Sequence, residues 1–300
     1  MRVVILGAGA MGSLMGALLS QYNEVIIVGR EAQARAISMS GLRVEGATSM
    51  VAMPKSATTC KGLGEVGLLI VAVKSYDTEA AVKGAKPAIG PGTTVLTLQN
   101  GPMCAERIAS VVGKDKVVAG WTSHGATYIE PGVVRHAGKG DTAIGEPDGR
   151  KSPRADRLAA LLTKAGMEAR VSDDIGYELW AKCVVNAAIN PLTALLRCKN
   201  GRLAESPDAR LVVHAICGEG SKALGALGYC VTLNELEDRA WRVVSQTSEN
   251  SSSMLQDVQR GRRTEIDDIT GALCEAARRH GVAVPVSEAV WRLVRASQIP

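Results

Sequence analysis

The sequence predicts two domains, an α/β domain with a parallel sheet followed by an all-α domain. In the first half, short runs rich in Val, Ile and Leu alternate with helical patterns, as in βαβ units. From residue 175 to residue 297, helical periodicity dominates instead. The length of 300 residues also exceeds that of a usual single domain. We therefore predict domains at residues 1–170 and 171–300.

Composition and charge narrow the range of functions. With 46% hydrophobic and 22% charged residues, the chain is typical of a globular enzyme. The formal charge of +5 is spread along the chain without a long basic run, so we expect no nucleic-acid partner. No uninterrupted apolar segment is predicted to span a bilayer, so we expect no membrane partner. The seven cysteines form no C-x-x-C pair and have no histidine clusters beside them, which favours reduced thiols in the cytoplasm and no metal site.

The first strand is predicted over residues 2–6, and it leads into GAGAMG at 7–12 and a helix over 13–20. A G-x-G-x-x-G motif between a strand and a helix is typical of dinucleotide-binding domains of the Rossmann type. Its glycines permit a tight turn, a close approach of backbone to pyrophosphate, and close packing of helix and strand. The alternative is a glycine turn of structural use only. The predicted cofactor-binding residues are Gly7, Ala8, Gly9, Ala10, Met11 and Gly12.

The second strand, residues 24–29, ends at Arg30. In this fold the end of the second strand meets the adenosine ribose, where Asp or Glu would accept hydrogen bonds from the 2′-hydroxyl of NAD. A guanidinium suits a 2′-phosphate instead, and one charge-assisted contact of roughly 1.5–3 kcal/mol would favour NADP about ten- to a hundredfold. We therefore predict NADPH/NADP+ as the cofactor. The alternative is an ordinary exposed arginine.

The rest of the first half continues the alternation of strands and helices. Strands are predicted over 67–73, 93–98 and 117–121, and helices over 77–86, 103–112 and 153–165. Functional residues of parallel sheets lie at the carboxyl ends of strands, where Lys74 and Asn100 are found. Asn100 precedes a glycine, so we expect its amide to lie where substrate meets nicotinamide, whereas Lys74 could simply be exposed. Residues 131–145 are predicted to form a β-hairpin with its turn near Gly138 and Gly140.

The helical half contains a polar stripe in the sequence WAKCVVNAAINPLTA at 180–194. Lys182, Asn186 and Asn190 are four residues apart, so they project from one face of a helix. Apolar residues nearly surround them, which predicts a largely buried stripe rather than a solvent face. Buried polar groups cost roughly 1–3 kcal/mol each when they have no partner. The stripe therefore needs either another polar element or a polar ligand, and this segment alone leaves both open.

The predicted dinucleotide domain favours a small polar substrate as the partner of this stripe. Hydride addition to a ketone creates an alkoxide, which a proton donor or cation must meet. Lys182 is the predicted proton donor, since partial burial lowers the pKa of a lysine. A second polar cluster at 248–257 offers Asn250 and the serines 251–253 for a carboxylate, and Glu265 could hold Lys182. The alternatives are a serine-rich turn and a solvated charged helix.

Five motifs together resemble the ketopantoate reductase family, whose members are also called 2-dehydropantoate 2-reductases. They occur in order over nearly the whole chain. The motifs are GAGAMG at 7–12, QNG at 99–101, ELWAKCVVNAAINPLTAL at 178–195, NSSSMLQDV at 250–258 and TEID at 264–267. One difference is Gln99, which stands where the family often has histidine before Asn-Gly.

The resemblance implies a Rossmann-type domain followed by a helical domain like the C-terminal domain of 6-phosphogluconate dehydrogenase. It implies NADPH-dependent reduction of 2-dehydropantoate to (R)-pantoate, a step towards pantothenate and coenzyme A. The expected partner is a small 2-oxo acid in the cytoplasm, and a homodimer is allowed for. The alternatives are a reductase of another branched 2-oxo acid and a non-catalytic NADPH-binding regulator.

The resemblance also implies a role for each residue that matches a family motif. Lys182 would donate the proton, with Glu265 touching both this lysine and the cofactor. Asn100 would lie at the nicotinamide and the substrate. The implied substrate-binding residues are Asn100, Lys182, Asn186, Asn190, Asn200 and Ser253. The implied cofactor-binding residues, beyond the glycine motif, are Arg30, Lys74, Asn100, Ala126 through its backbone, and Glu265.

Overall fold

The computed structural model describes residues 1–298 and divides the chain into two compact units. The first unit comprises Met1–Gln99 and Cys104–Gly176, and the second comprises Asn100–Met103 and the residues from Tyr177 onward. Sheets occur in the first unit, and the second is helical. The predicted fold class is therefore confirmed. The predicted boundary at residue 171 stays a prediction.

The first unit is built on two sheets. In chain order its strands are β1 (Arg2–Leu6), β2 (Glu24–Val28), β3 (Leu42–Gly46), β4 (Met50–Ala52), β5 (Lys55–Ala57), β6 (Leu68–Val71), β7 (Thr94–Thr97), β8 (Val117–Thr122), β9 (Gly125–Glu130), β10 (Val133–Gly138), β11 (Thr142–Gly145) and β12 (Ala169–Val171). The larger sheet has the order β12-β11-β8-β7-β6-β1-β2-β5 and is parallel except at the β8–β11 pair. The smaller sheet has the order β4-β3-β10-β9.

Helices cover the larger sheet and, except for the helix at Glu31–Ser40, which was not predicted, start within three residues of the predicted positions. They are α1 (Ala10–Ser20), α2 (Glu31–Ser40), α3 (Thr78–Ala85), α4 (Cys104–Val112) and α5 (Pro153–Lys164). The central strands are continuous apolar runs because both faces of a parallel sheet are buried. Ile5, Ile27 and Ile70 are fully buried in this core. Because these strands are parallel, their carboxyl ends lie at one edge of the sheet.

The hairpin predicted over residues 131–145 is wrong. Strand β10 pairs antiparallel with β9, across the turn at Pro131 and Gly132, where Gly132 has a φ of +80°. Strand β11 instead joins the larger sheet beside β8. A Pro-Gly pair suits the two central positions of a tight turn, so it decides which strands form the hairpin. Gly138 is the last residue of β10, and Gly140 lies in the connection from β10 to β11.

The second unit consists of helices and their connections. They are α6 (Ile175–Leu196), whose first two residues belong to the first unit, α7 (Arg202–Glu205), α8 (Pro207–Ala226), α9 (Leu233–Gln246), α10 (Ser253–Gln259), α11 (Thr270–Arg279) and α12 (Pro285–Ser297). Local signals set several of these starts. The Ser206 side chain caps α8, and Thr232 forms a capping box with Glu235 at α9.

Helix α6 supplies many of the buried residues in the core of the second unit. By length and composition it could cross a membrane, with a mean hydropathy of 1.3, so the prediction that no segment reaches this limit is wrong. In the structure, 67% of the 18-residue apolar stretch within this helix is buried, as expected for a core helix. Helix α8 packs closely on it at Gly220, where an added Cβ would lie 2.4 Å from Val184. The apolar character of α6 therefore serves the core.

Helix α6 ends in a turn that returns the chain towards residue 250. Arg197 has a φ of 51°, and the Cys198 amide donates to the Thr193 carbonyl at 3.1 Å. This is the hydrogen bond of a Schellman motif, which closes a helix with a left-handed residue. The Asn200 amide then donates to the Asn250 carbonyl at 3.0 Å. The turn therefore brings two distant polar segments together.

Candidate active site

The glycine loop between β1 and α1 has the shape that a pyrophosphate requires. Gly7 has a φ of +114°, and a Cβ there would lie 2.6 Å from the Val73 nitrogen. At Gly12 a Cβ would lie 1.9 Å from the Gly7 carbonyl oxygen. At Gly9, the N-cap of α1, no atom lies within 4 Å of an added Cβ. Two glycines thus close the turn and the third leaves room beside the helix amides, which fits a bound dinucleotide.

Arg30 directly follows the part of β2 that touches the glycine loop. A Cβ added to Gly29 would lie 2.4 Å from the Ala8 Cβ. The Gly7 amide donates to the Val28 carbonyl at 2.9 Å, which holds the loop to the same strand end. Arg30 is exposed and is the N-cap of α2. Its guanidinium can therefore reach an anionic group bound near the loop.

Lys74 directly follows the segment that contacts Gly7. It is partly buried and precedes a short turn of 3₁₀ helix, Ser75–Asp77. The Asp77 amide donates to the Lys74 carbonyl at 2.9 Å. Its position at the carboxyl end of β6 is where ligands bind in parallel sheets.

Ala126 lies in β9 opposite His136 of β10. A buried histidine pair holds this strand end, with His124 Nδ1 3.0 Å from His136 Nε2. His136 Nδ1 is in turn 2.9 Å from Thr48 Oγ1. Burial, helped by the neighbouring His136, lowers the pKa of His124 to about 4. His124 is therefore uncharged near neutral pH, and the hydrogen-bonded pair acts as a structural support that our sequence analysis did not identify.

The polar stripe of α6 is largely buried, as predicted. Lys182 and Asn186 are partly exposed, and Asn190 is 7% exposed. None of the hydrogen bonds described for residues 1–298 uses the side-chain amide of Asn186 or Asn190. These two amides are therefore available to a ligand.

Asn100 connects Lys182 to Glu265. The Lys182 ammonium donates to Asn100 Oδ1 at 3.5 Å, and Asn100 Nδ2 donates to Glu265 Oε2 at 3.4 Å. Glu265 is 6% exposed. Both hydrogen bonds are long, as is common in catalytic groups that tighten only around a reacting ligand. The structure thus brings together an ammonium, an amide and a carboxylate from distant parts of the sequence.

The environment of Lys182 makes its ammonium group more acidic. Burial lowers the pKa of its ammonium to about 8, against the opposing effect of the Glu265 carboxylate. An ammonium with this pKa is a much better acid near neutral pH than an exposed lysine. The cluster can therefore deliver a proton to an oxygen that gains negative charge.

Gly101 allows the Asn100 segment to approach Glu265. Its φ is +105°, and an added Cβ would lie 2.8 Å from the Asp268 carbonyl oxygen. The Asp268 amide donates to the Glu265 carbonyl at 3.1 Å, so both residues belong to one tight turn. Only glycine permits this close contact without strain. The Asn-Gly pair therefore supplies both the side chain and its placement.

The side-chain amide of Asn200 is only partly hydrogen-bonded within the described residues. Its Nδ2 donates to Thr247 Oγ1 at 2.8 Å. Its Oδ1 is buried and has no hydrogen-bond partner among residues 1–298. An acceptor of this kind suits a ligand that donates from a hydroxyl group. Thr247 was not among the predicted residues.

Ser253 is exposed and is the first residue of α10, whose N-cap is Ser252. Ser252 is buried, and its Oγ accepts from Thr193 Oγ1 at 2.7 Å and from the Leu255 amide at 3.1 Å. Thr193 extends the stripe three residues beyond Asn190, and this spacing was the signal that could have identified it. Thr193 and Ser252 therefore hold α10 against the end of the stripe.

Metal ligands are not brought together in the described part of the chain. Within residues 1–298 no three His, Cys, Asp or Glu side chains lie close enough to hold an ion. The seven cysteines of this range are thiols, and no disulfide bond is described there.

Comparison with known families gives one consistent result. A family model described as "Ketopantoate reductase PanE/ApbA" matches residues 3–149. A second, described as "Ketopantoate reductase PanE/ApbA C terminal", matches residues 174–298. Together they span most of the chain.

Individual proteins show the same similarity. The chain is 40% identical over 305 aligned residues to the 2-dehydropantoate 2-reductase of Halobacterium salinarum, with 99% of each protein covered. A ketopantoate reductase of Ralstonia eutropha JMP134 has a TM-score of 0.91 and 30% identity, covering 99% of this chain and 98% of that one. A D-mandelate dehydrogenase solved with NADH and anilino(oxo)acetate has a TM-score of 0.95 and 28% identity, with 99% and 98% covered.

Proposed function

Because the chain belongs to the ketopantoate reductase family, we propose that it is an NADP-dependent oxidoreductase that reduces 2-dehydropantoate to (R)-pantoate. The proposal places the enzyme in pantothenate and coenzyme A biosynthesis. The observation that carries it is the partly buried Lys182, held beside Asn100 and Glu265, with a pKa lowered to about 8. A reductase of a 2-oxo acid needs an acid of this kind where the alcohol oxygen forms.

The reaction requires one hydride and one proton. NADPH, held by the residues named below, would supply the hydride for C2 of the 2-oxo acid, and the carbonyl oxygen would take up the displaced electron pair. The Lys182 ammonium gives its proton to that oxygen and becomes a neutral amine. Asn100 and Glu265 orient the ammonium, and the Glu265 carboxylate favours its recharging from solvent. Atoms and charge then balance for a 2-hydroxy acid product.

Apart from Lys182, the residues proposed to hold the substrate are polar and neutral. Asn186 and Asn190 continue the stripe beyond Lys182, and no described hydrogen bond uses their side-chain amides. The buried Asn200 Oδ1 accepts a hydroxyl proton in this proposal, and Ser253 donates to a carboxylate. Since 2-dehydropantoate carries both a carboxylate and a hydroxyl, this set suits it better than a 2-oxo acid without a hydroxyl.

The residues proposed to hold NADPH are the glycine loop of 7–12, Arg30, Lys74, the Ala126 backbone, and Asn100 and Glu265 on the nicotinamide side. The open space at Gly9 and the exposure of Arg30 support this set. We place the reaction in the cytoplasm, which the seven thiols support. A homodimer is the proposed assembly, and sedimentation of the purified protein distinguishes it from a monomer.

The test is a substrate panel with purified protein, in which NADPH oxidation is followed by its absorbance. The panel contains 2-dehydropantoate, other branched 2-oxo acids and the 2-oxo acid of D-mandelate, each with NADPH and with NADH. We expect the highest kcat/KM for 2-dehydropantoate with NADPH.

Two other outcomes would change the assignment. A higher kcat/KM with another 2-oxo acid would keep the reaction class and replace the substrate. Tight NADPH binding without turnover of any 2-oxo acid would favour a non-catalytic NADPH-binding regulator instead.

A further inference from the structure

Gln99 has a buried side-chain amide whose nitrogen and oxygen both have hydrogen-bond partners. It is 8% exposed and follows β7 at the carboxyl edge of the larger sheet. Its Nε2 donates to the Val73 carbonyl at 2.7 Å and to Thr78 Oγ1 at 2.8 Å. Its Oε1 accepts from Thr97 Oγ1 at 2.9 Å, which fixes the orientation of the amide. This side chain therefore joins β7 to another segment of the first unit.

The two donated hydrogen bonds enclose one short turn. Val73 lies immediately before Lys74, and Thr78 is the first residue of α3 after the 3₁₀ turn Ser75–Asp77. The amide of Gln99 thus holds the start and the end of the segment that carries Lys74. Loss of the amide would leave the partly buried Val73 carbonyl and the buried Thr78 hydroxyl without this donor, and an unpaired buried group costs roughly 1–3 kcal/mol.

The same segment lies against the glycine loop. A Cβ added to Gly7 would be 2.6 Å from the Val73 nitrogen and 2.8 Å from the Ala72 carbonyl oxygen. Movement at Val73 would therefore reach both Gly7 and Lys74. A buried side chain that has no contact with a ligand can in this way set the geometry of a binding site.

No other side chain supplies the same set of hydrogen bonds. Glutamate has the length but no donors, and methionine has the length without strong hydrogen-bonding groups. A neutral histidine donates from a single ring nitrogen. Only an amide of glutamine length offers two donors and one acceptor at this distance from the backbone.

We propose that Gln99 is a positioning residue for the cofactor, which acts by holding the 73–78 turn so that Lys74 meets the anionic part of NADPH. The inference rests on the proposed function, because it assigns Lys74 to the cofactor. Gln99 itself touches neither cofactor nor substrate in this proposal. Its effect appears in NADPH affinity, before any chemical step.

The experiment measures the Kd of NADPH by fluorescence titration, without a 2-oxo acid, for wild type, Gln99→Met and Thr78→Val. Each variant removes hydrogen bonds from the turn and leaves Lys74 in the sequence. We expect Kd to rise about tenfold in Gln99→Met and less in Thr78→Val, since one misplaced charge-assisted contact has roughly this weight. Thr78→Val retains the amide, so it answers the question if Gln99→Met does not fold.

Thr93→Val is the matched control. Thr93 is also buried in the first unit, and its Oγ1 donates to the Val66 carbonyl at 2.6 Å and accepts from the Gly90 amide at 2.9 Å. It lies just before β7, at the opposite edge of the sheet from Gln99. We expect Thr93→Val to lower thermal stability and leave the Kd of NADPH unchanged. An equal rise in Kd in Thr93→Val and Thr78→Val would reduce Gln99 to a general stabilising residue and overturn the proposal.

A double variant tests whether Gln99 acts through Lys74. Lys74→Ala is expected to raise the Kd of NADPH, and adding Gln99→Met should then raise it by a smaller factor than in wild type. The same factor in both backgrounds, or a wild-type Kd in Lys74→Ala, would overturn the proposal. Wild type that binds no NADPH would overturn the proposed function itself, so the two failures are distinguishable.

Discussion

The loops of the first unit that we propose bind the cofactor and the polar face of α6 in the second unit are built in opposite ways. In the loops, glycines lie against neighbouring backbone atoms, and the side-chain amide of Gln99 donates hydrogen bonds to other groups of the protein. On α6, Asn186 and Asn190 have side-chain amides that no hydrogen bond described for residues 1–298 uses. The loops are shaped before a ligand arrives, whereas the helix keeps polar groups available for one.

This difference separates binding from chemistry. Backbone amides of a glycine loop bind phosphate without changing protonation. A buried lysine can release its proton, but only because its surroundings disfavour the charge, as at Lys182. Variants of the loops should therefore change cofactor affinity, and variants of the α6 face should change the rate of the chemical step.

The largest expected effect comes from removing the acid. In Lys182→Ala we expect kcat with 2-dehydropantoate to fall about 10²–10⁴-fold, because a positioned proton donor is lost. The Kd of NADPH should stay close to that of wild type. Steady-state kinetics and fluorescence titration provide the two values.

Lys222→Ala is the control for this change, since Lys222 is an exposed lysine on α8 of the same unit. It should have wild-type kinetics. Full turnover in Lys182→Ala would show that another group donates the proton.

A smaller effect is expected from reversing the charge at Arg30. Arg30→Asp should raise the Kd of NADPH about ten- to a hundredfold and change that of NADH much less, since only NADPH carries the 2′-phosphate. The kcat at saturating NADPH should be nearly unchanged. Arg35→Asp makes the same charge change at an exposed site on α2 and controls for long-range electrostatics. Equal weakening of both cofactors would remove Arg30 from the phosphate site.

The pH dependence of kcat tests the role of Lys182 without a substitution, so it is the smallest perturbation. Burial lowers the pKa of Lys182 to about 8, and reduction needs the protonated form. The kcat of reduction should therefore fall about tenfold per pH unit above this pKa, while the Kd of NADPH changes little. A profile that stays flat through this pKa would contradict the role of Lys182.

Stability should change in the opposite direction over this range. Between about 8 and the model-compound value of 10.5, the unfolded chain binds the lysine proton and the folded chain does not. The Lys182 contribution to the free energy of unfolding therefore rises with pH in that window. Thermal unfolding of wild type minus that of Lys182→Met isolates this contribution.

Much of the fold follows from local patterns. Strand–glycine–helix order predicted the parallel sheet, and the helical periodicity after residue 175 predicted the second unit. The shared face of the stripe on α6 followed from spacing, because residues four apart lie on one side of a helix, and its burial followed from the apolar residues around it. The roles given to these residues stay predictions until the variants are measured.

The errors have a common cause. The hairpin predicted at 131–145 is wrong because strand pairing depends on partners outside the segment, here β9 and β8. The segment 175–196 passes the length and composition test for a membrane span, and its burial in the protein core explains why it is apolar. In both cases a local pattern was compatible with two environments.

The sequence by itself determined the fold class, the dinucleotide motif, the polar face of α6 and the family, since each follows from short motifs or periodic patterns along the chain. Only the tertiary structure decided the partners of Gln99, the contact of Gly101 with Asp268 and the approach of Asn100 to Lys182 and Glu265. These groups come from segments far apart in sequence. Their distances, and the desolvation that sets the pKa of Lys182, exist only once the chain has packed.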